Sequence, residues 1–221
     1  MAVALGLQPT HALLNDTNPH LINFYSWLKR GLVVGIEVEM ANDRELYYRQ
    51  RERFNRLVQE GEEESKEAAA LFYYLNRTCF NGLCRFNKQG KFNVPFGKYS
   101  TINYTRDLTR YAPVLAGWEL RCGGFTDIAL GPNDFVYADP PYDVEFTEYS
   151  TGGFSWDDQV TLANWLAQLP NPVVASNQGT SRILDLYGDL GFEITLLDAP
   201  RMISSNGDRT PAKEMLAIKG L

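Results

Sequence analysis

An apolar run, Phe135-Val136-Tyr137-Ala138, stops in Asp139-Pro140-Pro141-Tyr142. In an open α/β sheet, ligands bind beyond the carboxyl ends of the strands, so a carboxylate, two prolines and an aromatic at such an end point to a site. An amino group on a heteroaromatic ring is a poor nucleophile, because its lone pair is delocalised into the ring. Two acceptors that take both of its hydrogens draw the nitrogen towards tetrahedral geometry and free that lone pair. Asp139 offers a carboxylate acceptor. Pro140 offers a backbone carbonyl whose direction the proline rings restrict. Tyr142 adds a flat ring on which a planar group can stack. The plainer alternative is a strand end followed by a rigid turn, and the tetrapeptide alone leaves both open.

Other residues with chemical reach are few. Three cysteines, Cys79, Cys84 and Cys122, and two histidines, His11 and His20, show no C-x-x-C or H-x-x-x-H spacing. Neither a metal centre nor a disulfide framework is expected, and reduced thiols suit a cytoplasmic protein. Asp16 follows the apolar run His11–Leu14. A carboxylate there either caps the next helix or grips the vicinal hydroxyls of a ribose. The net charge of −6 speaks against a nucleic-acid partner, but the charge is segregated. From Leu71 to Arg110 the chain holds Arg77, Arg85, Lys88, Lys91, Lys98, Arg106 and Arg110 against a single acid, Asp107. That stretch is therefore basic and the remainder strongly acidic. Aromatics from Phe72 to Tyr99 interleave with the basic groups, a mixture that suits a phosphate backbone and unstacked bases. A solvated basic face beside ordinary core aromatics is the alternative.

The elements that must position these residues read as follows. A strand over His11–Leu14 leads through Asn15-Asp16 into a helix capped by Thr17 or Asn18, with Pro19 in its first turn and Gly31 closing it. Helices are expected over Asp43–Gln59 and Glu64–Asn76, the second with Glu62-Glu63-Glu64 at its positive end. Phe86 to Phe92, around Gly90, reads as a hairpin. From Trp118 onward strands alternate with helices: strands over Trp118–Cys122, Asp134–Ala138, Pro172–Ser176, Phe192–Leu197 and Glu214–Ile218, helices over Asp157–Gln168 and Ser181–Leu190. That alternation predicts an α/β sheet, mostly parallel, interrupted by a basic helical insertion. The composition, 44% hydrophobic and 22% charged, excludes a disordered or fibrous chain. No apolar run approaches the ~20 residues of a membrane helix. Met1–Leu7 lacks the basic start and processing site of a signal peptide.

The chain resembles the DNA adenine-N6 methyltransferases of the Dam type, bacterial and phage. Their active-site tetrapeptide matches Asp139–Tyr142. A longer match runs through Leu75-Asn76-Arg77, Phe80-Asn81-Gly82-Leu83-Cys84-Arg85-Phe86-Asn87 and Gly90 to Tyr99, which looks like that family's target-recognition hairpin. Leu14 to Asn18 and Ile203-Ser204-Ser205-Asn206-Gly207 also match, and the recognition insertion precedes the tetrapeptide as in the family. The resemblance implies an S-adenosylmethionine-dependent, Rossmann-like methyltransferase sheet with a helical plus β-hairpin recognition insertion. Residues 1–18 and 106–221 would form the catalytic domain, and 19–105 the DNA-binding domain.

It also implies roles. Asp139, Pro140 and Tyr142 would be catalytic. Asp16, Phe125 and Asp139 would hold S-adenosylmethionine, Phe125 packing against its adenine. Phe80 and Asn81 would enter the base stack beside a flipped target base. Leu83 and Pro95 would touch a thymine methyl, and Arg85 would present its fork to a guanine. Lys88, Lys91 and Lys98 would contact phosphates. The reaction implied is methyl transfer to adenine N6 in double-stranded DNA, within GATC, by a cytoplasmic monomer needing no metal. Ser204, Ser205 and Asn206 would line the base pocket, with a polar loop as the alternative.

One departure stands out. The family opens with a Lys-containing segment and a glycine-rich F-x-G-x-G turn, and neither precedes Asp16. Met1–Leu7 reads as the helix after that turn, so the chain is expected to start inside the first cofactor motif. A catalytically impaired DNA-binding remnant is therefore one alternative function. Methylation of another planar amino group, cytosine N4 or glutamine, is a second, though Asp139 in place of Ser or Asn speaks against it.

Overall fold

A computed structural model describes residues 1–143, 154–199 and 212–221. The chain divides into two compact units, Met1–Phe125 and Thr126–Leu221.

The first unit opens with the short helix α1 (Ala2–Leu7), which buries no residue. Strand β1 (Ala12–Asp16) runs two residues further than the apolar run, because Asn15 and Asp16 still pair, in parallel, with Arg121 and Cys122 of β2 (Trp118–Cys122). Helix α2 (Pro19–Lys29) begins where expected. Asn18 is its cap, its Oδ1 accepting from the amides of His20 and Leu21 at 3.0 and 3.3 Å. Gly31 ends it at φ 82°, a left-handed conformation that glycine adopts without steric cost. A short turn, α3 (Val34–Glu37), leads to α4 (Arg44–Gln59), capped by Asp43, whose Oδ1 accepts from Leu46 N at 2.7 Å. Leu46, Tyr47, Gln50 and Phe54 form its buried stripe.

Helix α5 (Lys66–Thr78) starts two residues later than the sequence suggests. Ser65 caps it, and Glu62 to Glu64 form the turn ahead of the cap instead of its first turn. The acidic turn is used through its backbone: Asn23 donates to Glu63 O and Trp27 to Glu64 O, at 2.8 and 3.0 Å. The core of the unit gathers Leu28, Leu32, Tyr47, Phe54, Leu71 and Tyr74. After α6 (Ala112–Leu115), β2 returns beside β1, and a Cβ on Gly117 would stand 2.5 Å from the Thr10 carbonyl oxygen, so this approach requires glycine.

The second unit holds a four-stranded sheet in the order β3-β4-β6-β5. Its strands are β3 (Val136–Ala138), β4 (Val173–Gln178), β5 (Glu193–Ala199) and β6 (Ala212–Lys219). Helix α7 (Trp156–Gln168) lies between β3 and β4 in sequence, and α8 (Ser181–Asp189) between β4 and β5. Ser155 and Asp158 close a capping box at the start of α7. β3 and β4 are parallel, as expected of strands joined through a helix. β6 is antiparallel to both β4 and β5, so β3, β4 and β5 share one direction, in keeping with a mostly parallel sheet, and β6 opposes them. The sequence between β5 and β6 holds Pro200, Gly207 and Pro211 and no helical periodicity, which favours an antiparallel neighbour over a parallel one.

Candidate active site and nucleic-acid interface

In the second unit the tetrapeptide follows directly on β3, at its carboxyl end. Asp139 Oδ1 accepts from Ser176 Oγ at 2.9 Å, and Tyr137 OH donates to the same hydroxyl at 3.0 Å. Ser176 lies on β4, one residue beyond the Ala138–Ala175 pair, so the parallel register delivers its hydroxyl to the strand end. Tyr142 OH also shares a hydrogen bond with Ser176. Burial, followed by the charges of Glu214 and Asp139, pushes the Tyr142 phenol up against that hydrogen bond, so the ring stays neutral at physiological pH.

Behind the tetrapeptide lies a polar cluster. Gln159 Nε2 donates to Pro141 O at 2.7 Å, and the Asp143 amide donates to Asn177 Oδ1 at 2.9 Å. The Asp143 carboxylate accepts from Thr180 Oγ1 at 2.9 Å and Arg182 Nε at 2.6 Å, while the Arg182 guanidinium lies over Trp156. Burial alone would push the Asp143 carboxyl up, but the hydrogen bonds from Arg182 and Thr180 and the Arg182 charge outweigh it and hold it below the usual carboxylate range. A depression lined by Ile128, Leu130, Trp165 and Leu169 sits at the amino ends of β3 and β4, away from Asp139, and has no part in this chemistry.

In the first unit, the parallel pairing sets the carboxyl ends of β1 and β2 side by side, with Asp16 opposite Cys122. Asn15 Nδ2 donates to Gly123 O and Gly123 N to Asp16 O, tying the turn that leads to Phe125 against the end of β1. Phe125 is half-buried there, opening a single 3-10 turn. Asp16 is not the helix cap. Its Oδ1 accepts from Asn18 N at 2.8 Å in a tight Asx turn, and its Oδ2 has no hydrogen-bond partner among the described residues.

The segment expected to recognise DNA forms a hairpin built from isolated bridges, Cys79 with Phe96 and Phe86 with Phe92, instead of continuous strands. Its second arm is satisfied from α4. Asn55 exchanges two hydrogen bonds with the Phe92 backbone, and Tyr47 OH and Arg51 both donate to Val94 O. Pro95 carries no amide hydrogen to extend a ladder. At the tip Asn87 Oδ1 accepts from the amides of Gln89 and Lys91, and Gly90 turns at φ 73°.

Phe80 and Leu83 are 40% and 43% exposed, high values for large apolar side chains. Between them Asn81 adopts φ 55°, held by Asn76 donating to Gly82 O at 2.8 Å. Arg85, Lys88, Pro95 and Lys98 are exposed, and Lys91 half-buried. Arg85 Nε donates to Asn93 Oδ1 at 2.8 Å and its Nη2 to Asn93 O. Cys84 accepts from Asn18 Nδ2 at 3.3 Å. Partial desolvation and the Asp16 charge push its thiol up, while Asn18 pulls it down. The side chain is exposed, and the net rise does not suit a nucleophile.

Ser176, Gln159, Asn177 and Asn93 were not singled out by sequence reading. One signal for Ser176 and Asn177 existed: Val173-Val174-Ala175 turns abruptly into Ser176-Asn177-Gln178 while the strand continues. Ile203 to Gly207 lie outside the described residues. Among the described residues no cluster of His, Cys, Asp or Glu could hold a metal ion, and no helix is long and apolar enough to cross a membrane.

Residues 1–203 match the family model of the D12 class N6 adenine-specific DNA methyltransferase. The chain is 35% identical to the Retron Ec67 DNA adenine methylase of Escherichia coli, over 99% of this chain and 79% of that protein. It is 32% identical to the DNA adenine methylase of Escherichia coli K12, over 98% of this chain and 82% of that protein. Against the DNA N-6-adenine-methyltransferase of Escherichia phage P1 it is 35% identical over 93% of its length, but spans only 29% of that protein. The strand-end carboxylate with its proline carbonyl thus sits within a similarity that runs almost the length of the chain, which belongs to the D12 class of N6 adenine-specific DNA methyltransferases and shares their Rossmann-like α/β fold.

Proposed function

We propose that the chain transfers a methyl group from S-adenosylmethionine to adenine N6 in duplex DNA, within GATC, the target adenine leaving the stack to reach Asp139. The observation that carries this reading is the state of the Asp139 carboxylate. One oxygen is held by Ser176 at the end of β3. The other oxygen and the Pro140 carbonyl are then the two acceptors for the N6 hydrogens, and Tyr142, kept neutral, stacks on the base.

The bound donor supplies a methyl carbon on a positively charged sulfur. Asp16 fits such a donor, because the oxygen left over from its Asx turn can take ribose hydroxyls. Phe125, on the turn tied to the end of β1, suits the donor's adenine. Residues 19–105 serve as the recognition domain, and 1–18 with 106–221 as the catalytic domain.

GATC recognition rests on the likeness of the 80–99 segment to the family hairpin. Asn93 takes one edge of the Arg85 guanidinium and leaves the end-on Nη edge for guanine O6 and N7. Leu83 and Pro95 offer apolar contact to a thymine methyl, Phe80 and Asn81 enter the stack near the flipped base, and Lys88, Lys91 and Lys98 neutralise phosphates. Asp139→Ala tests the centre of the reading. Tritium transfer to a GATC duplex is expected to vanish while DNA affinity stays within a few-fold, and substantial residual turnover would refute it.

A further inference from the structure

Tyr142 has a peptide group on either side, and both are held by buried side-chain amides. The carbonyl before it, Pro141 O, accepts from Gln159 Nε2 at 2.7 Å. The amide after it, Asp143 N, donates to Asn177 Oδ1 at 2.9 Å. The two side chains are joined, Asn177 Nδ2 donating to Gln159 Oε1 at 3.0 Å. Gln159 is 2% exposed and Asn177 0%, and they come from different elements, α7 and β4. The directions of these bonds are forced. A carbonyl can only accept and an amide N–H only donate, so Gln159 must present its NH2 to Pro141 and Asn177 its oxygen to Asp143. The remaining NH2 of Asn177 then meets the remaining oxygen of Gln159, and no other assignment satisfies all four groups.

Two buried amides are an expensive way to fill space, since each must be hydrogen-bonded to offset its desolvation. Leucine or methionine would fill the same volume without that demand. What the amides add is direction. With Asp139 held by Ser176 at one end and Pro141 O by Gln159 at the other, the Pro140 carbonyl hangs between two fixed points, across two rings that restrict φ. Asp143, gripped by Thr180 and Arg182, anchors the far side of Tyr142.

The geometry points to Gln159 and Asn177 as positioning residues for methyl transfer: acting through the backbone, they set the Pro140 carbonyl and the Tyr142 ring against the target base. This rests on the roles proposed above for Asp139, Pro140 and Tyr142. Misplacement of reacting groups by about 1 Å can cost ~100-fold in rate.

The test uses Gln159→Glu and Asn177→Asp. Each preserves shape and removes the donor that completes the relay. Single-turnover tritium transfer to a GATC duplex is expected to fall by about 10- to 100-fold, with DNA dissociation constants within threefold of the parent and a matching melting temperature. With 2-aminopurine at the target adenine, the flipped base should stack less well on Tyr142 and fluoresce more brightly in both variants. Parent-like transfer in both would overturn the inference. So would a loss of transfer that merely follows a fall in melting temperature and DNA affinity, because the amides would then be structural only. Asp139→Ala, assayed alongside, separates the two levels. If it retains turnover, the reading of the site fails. If it is inactive while Gln159→Glu and Asn177→Asp transfer normally, only the positioning role fails.

Discussion

At the scale of single residues, the clearest division of labour is between Arg85 and its neighbours. A lone arginine on an exposed arm has many rotamers, and ordering it opposes binding. Asn93 removes much of that cost by accepting from Arg85 Nε at 2.8 Å before any DNA arrives. A preorganised fork discriminates because the wrong base leaves its donors unpaired. Arg85→Ala is therefore expected to relax discrimination at one guanine by about 1–3 kcal/mol, the usual worth of a bidentate base contact. Affinities for a panel of singly substituted GATC duplexes check this; a uniform loss across the panel would make Arg85 a phosphate contact instead.

At the scale of elements, α4 carries the second arm of the hairpin proposed to recognise DNA. Its buried face anchors the unit's core through Phe54, which touches His20, Phe72, Phe86 and Phe92 in one aromatic cluster. On the same helix Asn55, Arg51 and Tyr47 take up the backbone groups of Phe92 and Val94. Packing and presentation of the hairpin are thus one structure. Phe54 is fully buried, so truncation removes its burial and leaves a cavity. Phe54→Ala is expected to destabilise the protein by about 3–5 kcal/mol in urea unfolding. GATC affinity should fall with it even at temperatures where the variant stays folded, because Phe86 and Phe92 lose their common support. Affinity unchanged at full folding would show that the arm is held by its hydrogen bonds to α4 alone.

Across the whole molecule, charge is distributed so that a protein of net charge −6 can still approach a polyanion. The acidic remainder repels DNA at long range, while the basic stretch attracts it. Among the described residues none of Lys88, Lys91 and Lys98 is engaged in an ion pair, which suits the phosphate contact proposed for each. Lys88→Ala should weaken binding to all sequences alike and reduce the slope of log affinity against log salt by about 0.9, the release of one counterion. Fluorescence anisotropy between low and moderate salt measures that slope. An unchanged slope would remove Lys88 from the phosphate contacts.

Much of the frame was legible in the sequence because it is local. The helix start at Asn18 follows from a side-chain oxygen two or three residues before the amides it caps, and the helix after Asp43 from apolar residues at helical spacing. The end of β3 follows from an apolar run meeting two prolines, and the basic recognition stretch from charges adjacent in the chain. The sequence by itself thus determined where Asp139, Pro140 and Tyr142 stand on an element, and which family they belong to. Tertiary structure alone decided what meets them. β6 runs antiparallel because of which strands it pairs with, a fact no window of its own residues contains. The hairpin's second arm bonds to α4 side chains up to 47 residues away in sequence, where the turn at Gly90 between two aromatic-flanked segments suggests only a partner strand. Gln159 reads as one more polar position of a helix until the fold brings it 2.7 Å from Pro141 O, 18 residues back along the chain. Caps and turns are settled by bonds between near neighbours, whereas a buried polar group is defined by partners that only the folded chain brings within reach.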